Sequence, residues 1–316
     1  MADDAPLIIA HRGASGYLPE HTLPAKAMAY GQGAHYIEQD VVVSRDDQLI
    51  VLHDIHLDTV TNVADLFPGR ARDDGKFYVR DFDLAELKTL NVHERRQADG
   101  VTAVFPGRFP TDSGSFSIAT MAEEIELVQG LNRSTGRDVG IYPEVKAPEF
   151  HHREGVDASK LLLDMLDAYG YRSRDAAVFV QCFHAAEVIR MREELGTDLK
   201  LVQLVGENSW GESSTDYDVL KTPQGLKDIA RIADGLGPWI GQLYTVADID
   251  GQPVSTGLVK AAHAAGLKVH PYTFRRDQLA PGFDDFREMV QWFAETLRVD
   301  GLFTDFPDIA NRACHF

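Results

Sequence analysis

The sequence predicts an α/β chain built as a (β/α)8 barrel with an insertion after the second strand. Three observations carry this prediction. Eight short apolar runs, at 7–10, 36–43, 139–144, 177–182, 199–205, 232–236, 268–272 and 300–304, read as strands. Helix-like stretches lie between most of them, and strands alternating with helices imply βα units on a parallel sheet. The strand starts are spaced by 29, 103, 38, 22, 33, 36 and 32 residues. A βαβ unit takes about 30 residues, so only the second gap is out of scale, and eight units suit a barrel of this length.

Taken in order, the first run, Leu7-Ile8-Ile9-Ala10, delivers His11 and Arg12 to its exit, where Gly13, Gly16 and Pro19 keep the chain irregular. The second run continues through the turn residues Ser44-Arg45-Asp46-Asp47 into a hairpin that ends in His53-Asp54. The long gap then leaves room for an insertion over roughly 57–117, rich in charge, glycine and turns, on the face where barrel active sites are built. Thr120 and Glu123 have capping-box spacing and open a helix expected to end near Gly130. The stretches 161–166 and 257–265 read as helices stopped by Gly170 and Gly266. Pro143, Pro238, Pro271 and Pro307 each fall close to the C-terminal end of a proposed strand, where a residue without an N–H fits. With no linker, repeat or low-complexity tract, residues 1–316 read as one catalytic domain.

Composition narrows the partners. Hydrophobic content of 44% and charged content of 25% are those of a globular protein. A formal net charge of −18 argues against nucleic acid or an anionic membrane as the main partner and is compatible with divalent cations. No apolar stretch approaches the roughly 20 residues of a membrane span, so no stable membrane association is expected. Cys182 and Cys314 are too few for a disulfide framework and lack zinc spacing; Cys182, inside an apolar run, reads as a buried inert thiol. The start Met1-Ala2-Asp3-Asp4 reads either as a cytosolic N-terminus or as a mature secreted form with an added methionine. The sequence leaves a homodimer open.

The chemistry-bearing residues gather at strand ends. Glu38 and Asp40 are two apart on one strand, so both point to the same face. Parallel barrel strands are usually apolar throughout, and two buried carboxylates repel unless a cation lies between them. The bland alternative has the pair at the strand mouth, bound to water or an arginine. Glu144 and Lys146 share a face after Pro143. Three carboxylates with no histidine partner are hard oxygen ligands, suited to one Ca²⁺ or Mg²⁺ and not to zinc. His11 and His53 flank this cluster, each a group able to carry a proton.

With these residues in view, the chain resembles the glycerophosphodiester phosphodiesterases, most closely their bacterial periplasmic type. The resemblance rests on His-Arg-Gly (11–13), Pro-Glu-His-Thr (19–22), Glu-Gln-Asp (38–40), His-Asp (53–54), Glu-Val-Lys (144–146) and Phe-His-His-Arg-Glu-Gly (150–155). Gln-Cys-Phe (181–183), His-Pro-Tyr-Thr (270–273) and Gly-Leu-Phe-Thr-Asp-Phe-Pro-Asp (301–308) complete it, in order along the chain. It implies metal-dependent hydrolysis of small glycerophosphodiesters, such as glycerophosphocholine and glycerophosphoethanolamine, to glycerol 3-phosphate and an alcohol. Glu38, Asp40 and Glu144 are then the implied metal ligands, His11 and His53 the acid–base pair, and Arg12 and Lys146 the phosphate binders. It also implies a periplasmic location, with the cytoplasm as the alternative. The broader family usually has asparagine where this chain has His21, so His21 is expected to be structural. Glu20 either orients Arg12 or reaches the metal through water. Trp239, Tyr272 and Phe303 are candidates for pocket walls, with plain aromatic core as the other reading. His151 and His152 are expected to gate the substrate's entry or to sit on an exposed loop.

Three other functions compete. A phospholipase C- or D-like enzyme would need a surface for lipid, which the acidic charge disfavours. A zinc amidohydrolase barrel is disfavoured because no His-x-His occurs. A non-catalytic glycerophosphodiester-binding barrel would be expected to lack His11, His53 or a ligand, and all are present.

Overall fold

In the computed structural model, residues 5–247 and 251–314 are described; the N-terminal Met1 to Asp4 stretch lies outside them. The eight barrel strands are β1 (Leu7–Ala10), β2 (Tyr36–Val43), β3 (Gly140–Val145), β4 (Phe179–Cys182), β5 (Lys200–Val205), β6 (Gly235–Pro238), β7 (Lys268–Val269) and β8 (Gly301–Thr304). They pair in parallel in the order β7-β6-β5-β4-β3-β2-β1-β8. Closure runs from β7 to β8, where Asp300 N–H donates to Val269 O (2.9 Å) and Phe303 N–H to Pro271 O (3.0 Å). A closed ring leaves no ladder edge in need of cover.

The barrel centre is filled by Ile9, Tyr142, Phe179, Val202 and Phe303, all buried. Tyr142 stacks on Phe179 at 4.9 Å, and its hydroxyl meets His270 Nδ1 at 2.9 Å, so the buried polar tip is satisfied. Outside the ring, α1 (Leu23–Gly31) and α2 (Met121–Thr135) belong to the first and second strand units. Thr120 and Glu123 form the capping box that their spacing predicts. The helix does not stop near Gly130; it runs to Thr135 and ends on Gly136, whose φ of 74° is the left-handed cap conformation. An interior glycine costs only about 1 kcal/mol, which the buried face of Met121, Ile125 and Val128 outweighs.

Pro143 lies within β3, earlier than a strand-end position. Ile141, two residues before it, donates its N–H toward β4, to Ala177 O at 3.0 Å. Pro143 faces the same side, where the β3–β4 ladder is sparse, so its missing donor is tolerated there.

After β2 the chain turns back through Leu49–Val51, antiparallel to β2 and also paired with Ala119–Thr120. Between these two short strands lies the insertion. It has its own buried cluster, including Leu57, Val60, Phe77, Phe82, Leu87 and Val92, seated on Val42 and Ile50 of the hairpin. Among the described residues no helix is long and apolar enough to cross a membrane.

Candidate active site

A cavity of about 640 Å³ opens at the C-terminal end of the barrel strands. Register sets its polar floor: Asp40 of β2 stands opposite Glu144 of β3, and Glu144 stands opposite Gln181 of β4. Beyond β1 the chain reverses sharply. Arg12 and Gly13 have φ of 57° and 90°, and a Cβ on Gly13 would come within 2.9 Å of the Ala25 backbone. This turn aims the Arg12 N–H at Glu38 Oε2 while leaving His11 tied to the ladder through Thr304 O.

Each histidine is held by a carboxylate. His11 Nδ1 lies 2.6 Å from Asp305 Oδ1, and His53 Nδ1 lies 2.5 Å from Asp54 Oδ1. An anionic acceptor fixes the proton on Nδ1, so in the neutral rings Nε2 is the basic nitrogen. Burial, then the neighbouring Arg12, pushes His11 down to about 4. His53 is also lowered, by burial, then by Arg12 and Lys146, with Asp54 opposing.

The carboxylates behind the histidines are themselves clamped by arginines. Asp305 Oδ2 accepts from Arg108 Nη2 at 2.7 Å and Arg275 Nε at 2.8 Å. Asp54 Oδ2 accepts from Arg95 Nη1 at 2.6 Å. Arg95 and Arg108 both come from the insertion, which thereby reaches both histidine–aspartate pairs.

Glu38, Asp40 and His21 form a compact buried cluster with ligand atoms within 4.8 Å of one another. His21 spends both nitrogens, Nε2 on Asp40 Oδ2 at 2.7 Å and Nδ1 on Lys26 Nζ at 3.2 Å. Because the ammonium can only donate, His21 Nδ1 accepts and Nε2–H donates. His21 therefore braces Asp40. Fully buried Lys26 also donates to Glu38 O and pairs with Glu124 at 3.1 Å, stiffening the same corner from behind. Asp40 Oδ1 is buried without a partner. Burial and the adjacent Asp40 raise Glu38 well above the carboxylate range. Burial works against Asp40, but His53, His21 and Lys146 outweigh it and hold Asp40 well below that range. An orphaned carboxylate oxygen beside a second buried carboxyl fits a hard divalent cation. Glu144 lies outside the compact cluster, with Lys146 Nζ at 2.8 Å.

Glu20 is not among the residues that line the cavity. It accepts from Arg12 Nη1 at 3.0 and 3.1 Å and from Arg95 Nη2 at 2.6 Å, and so orients the Arg12 fork. Arg12, Lys146, Trp239, Tyr272 and Phe303 all line the cavity, Phe303 as a buried floor and Trp239 as an exposed wall. Neither His151 nor His152 does: His151 is buried against Phe150, and exposed His152 faces Asp157 at 3.7 Å. The carboxylates nearest His152, Asp157 and Glu187, are already paired with Arg190. Cys182 is buried, with its thiol on Val145 O.

Sequence reasoning did not single out Asp305, Arg95, Arg108, Arg275, Lys26, Gln181 or Trp210. Asp305 stands inside the 301–308 motif, which could have marked it. The insertion arginines carry no local signal.

A family model, the glycerophosphoryl diester phosphodiesterase family, matches residues 11–309, beginning at His11. A Haemophilus influenzae protein named glycerophosphodiester phosphodiesterase is 43% identical, over 96% of this chain and 88% of its own. One of the same name from Treponema pallidum is 37% identical, over 96% and 90%. Among solved structures, a Silicibacter pomeroyi protein described as a "putative glycerophosphoryl diester phosphodiesterase" superposes with a TM-score of 0.73 at 23% identity, covering 98% of this chain and 93% of that one. An Oleispira antarctica phosphodiesterase in complex with the product sn-glycerol-3-phosphate gives 0.65 at 20%, covering 98% and 96%. These two likenesses establish the (β/α)8 barrel.

Proposed function

The chain belongs to the glycerophosphoryl diester phosphodiesterase family, and from that premise we propose that it hydrolyses small glycerophosphodiesters to glycerol 3-phosphate and an alcohol by histidine acid–base catalysis beside one divalent cation. The carrying observation is the pair of histidines, each anchored at Nδ1 by a carboxylate, across a corner of three carboxylates flanked by Arg12 and Lys146.

Glu38, Asp40 and Glu144 would hold the cation, Ca²⁺ or Mg²⁺, which when bound polarises a phosphate oxygen and balances charge on the phosphoryl group. Arg12, forked by Glu20, and Lys146, set beside Glu144, bind the remaining phosphate oxygens. His11, neutral above about pH 4, takes the proton of the attacking oxygen at Nε2. His53 gives a proton to the leaving alkoxide. The arriving phosphate anion offsets Arg12 and Lys146, two of the groups that depress His53, and so favours its protonated form. Residues 1–316 act as one catalytic unit, because Arg95 and Arg108 of the insertion hold the carboxylates behind both histidines. Substrates such as glycerophosphocholine and glycerophosphoethanolamine are met in the periplasm, a location that cell fractionation tests.

The activity is tested by coupled detection of glycerol 3-phosphate released from glycerophosphocholine, with and without chelator. Release that chelator abolishes and added Ca²⁺ or Mg²⁺ restores is expected; no release under either ion refutes the proposal.

A further inference from the structure

The cavity mouth is divided by barrel order. The catalytic corner comes from β1, β2 and β3, with His11, Glu38, Asp40, Glu144 and Lys146. The facing half comes from the segments after β5, β6 and β7 and is walled by Trp210, Trp239 and Tyr272. Trp210 and Trp239 are 48% and 37% exposed, so much of each indole is presented to whatever enters. Large exposed aromatics in a cavity are unusual unless they meet a ligand.

These two rings are seated in defined positions. A Cβ on Gly241 would stand 2.4 Å from the Trp239 ring, and one on Gly206 would stand 3.0 Å from Trp210. Each indole therefore lies against a glycine backbone that leaves room for it. The rings meet at 5.4 Å and 69°, as two near-perpendicular walls. Tyr272 stands beside Trp239 across the β6–β7 register, with its hydroxyl fixed on Val205 O at 3.0 Å. Two carboxylates flank Trp210 in sequence: Glu207, partly exposed, accepts from Gln242 Nε2 at 2.7 Å with Lys221 at 4.0 Å, and Glu212 lies 3.3 Å from Lys146. The cavity's own cations, Arg12, Lys146 and Arg275, are each paired with a carboxylate.

We propose that Trp210, Trp239 and Tyr272 form a subsite for the leaving alcohol, and that it selects an alcohol bearing an ammonium group. This rests on the function proposed above and deepens it. The phosphate sits between the two halves. With the glycerol hydroxyls on the metal side, the other substituent on phosphorus extends across the mouth onto the aromatic walls. Perpendicular indole faces with nearby carboxylates attract a cation through the ring quadrupole, and tryptophan does so best.

The test compares kcat/KM for glycerophosphocholine with its carbon isostere, the 3,3-dimethylbutyl ester, which has the same shape without the charge. A cation–π site predicts a preference for the choline ester on the order of tenfold in the wild type, collapsing toward unity in Trp239→Leu and Trp210→Leu. A wild-type ratio near one with good turnover overturns the subsite while leaving the hydrolase reading intact. An unchanged ratio in both variants does the same. No product from either ester under Ca²⁺ or Mg²⁺ refutes the hydrolase reading itself. Should the variants fail to fold, wild-type inhibition decides: competitive inhibition by tetramethylammonium but not by tert-butanol supports the subsite, and its absence overturns it.

Discussion

Asp54→Asn isolates the role of one carboxylate with little change of shape. Asp54 Oδ1 lies 2.5 Å from His53 Nδ1, and its other oxygen accepts from Arg95. A hydrogen bond to a charged group contributes about 1.5–3 kcal/mol, roughly twice a neutral one. Replacing the anion by an amide should therefore cost the protonated form of His53 about 1–2 kcal/mol, or roughly 5–30-fold, at 1.4 kcal/mol per decade. That is less than the 10²–10⁴-fold typical of losing a general acid outright, so His53→Ala should be worse. The sign in pH follows from the same contact. Asp54 raises the His53 pKa against burial, Arg12 and Lys146; without its charge the pKa falls, and the descending limb of kcat/KM moves to lower pH. The loss should fall on glycerophosphocholine, whose alkoxide must be protonated, and largely spare a p-nitrophenyl ester of glycerol phosphate, whose leaving group needs no proton. Equal losses on both esters, or an unmoved pH limb, would refute the assignment of His53 as acid.

Two further outcomes concern the supports of the site. Burial opposes ionisation of Asp305, but Arg275, His11 and Arg108 outweigh it and depress its pKa well below 3.8. A depressed folded pKa gives stability that is present above the unfolded value and is lost as pH falls toward the folded one. Asp305→Asn should therefore show a flatter loss of stability below about pH 4 than the wild type, read from urea midpoints at neutral and acid pH; parallel profiles would contradict the ion-pair account. Lys26→Met leaves Glu124, already pushed to about 7 by burial against the pull of Lys26, without its cation. A loss of about 3 kcal/mol is expected in urea unfolding, with most of it recovered in Lys26→Met/Glu124→Leu; a double variant no better than the single one would show that the pair is not the cause.

The barrel is legible in the sequence because its parallel strands are apolar runs at near-regular spacing. Their ends are less so. The sixth run, read at 232–236, is a ladder strand over Gly235–Pro238, and Asp234 just before it binds Leu201 twice, donating its N–H to Leu201 O at 2.8 Å and accepting from Leu201 N–H at 3.0 Å. The seventh ladder covers Lys268–Val269, and beyond it the chain bridges to Trp239 at Tyr272. His11, Glu38, Asp40, Glu144 and Lys146 could be singled out because each stands on or just past a strand, where a charged residue is out of pattern. The carboxylate behind His11 could not be paired with it from sequence: 294 residues separate them, and only barrel closure between β1 and β8 brings them together. His21 illustrates a different difficulty. Its role depends on which nitrogen meets Lys26 and which meets Asp40, and no spacing rule encodes that.

The insertion changes how the site is held together. A barrel alone could place the histidines at its mouth, but the carboxylates behind them, buried Asp305 and half-buried Asp54, would remain to be neutralised. Arg95 and Arg108 do this from outside the ring, and each joins parts of the mouth that the strands leave separate. Arg95 ties Glu20, after β1, to Asp54, after the hairpin. Arg108 ties Asp305, after β8, to Asp277 in the loop before it and to Ser15 O after β1. The insertion's own buried cluster fixes where these arginines begin, and their forks fix where the two histidine–aspartate pairs end. Rigid placement of a proton donor and acceptor across one phosphorus needs such support, because an error of about 1 Å at the reacting atoms costs on the order of 100-fold in rate. On the function proposed above, the hundred-residue gap between the second and third strands belongs to the frame that holds the acid–base pair.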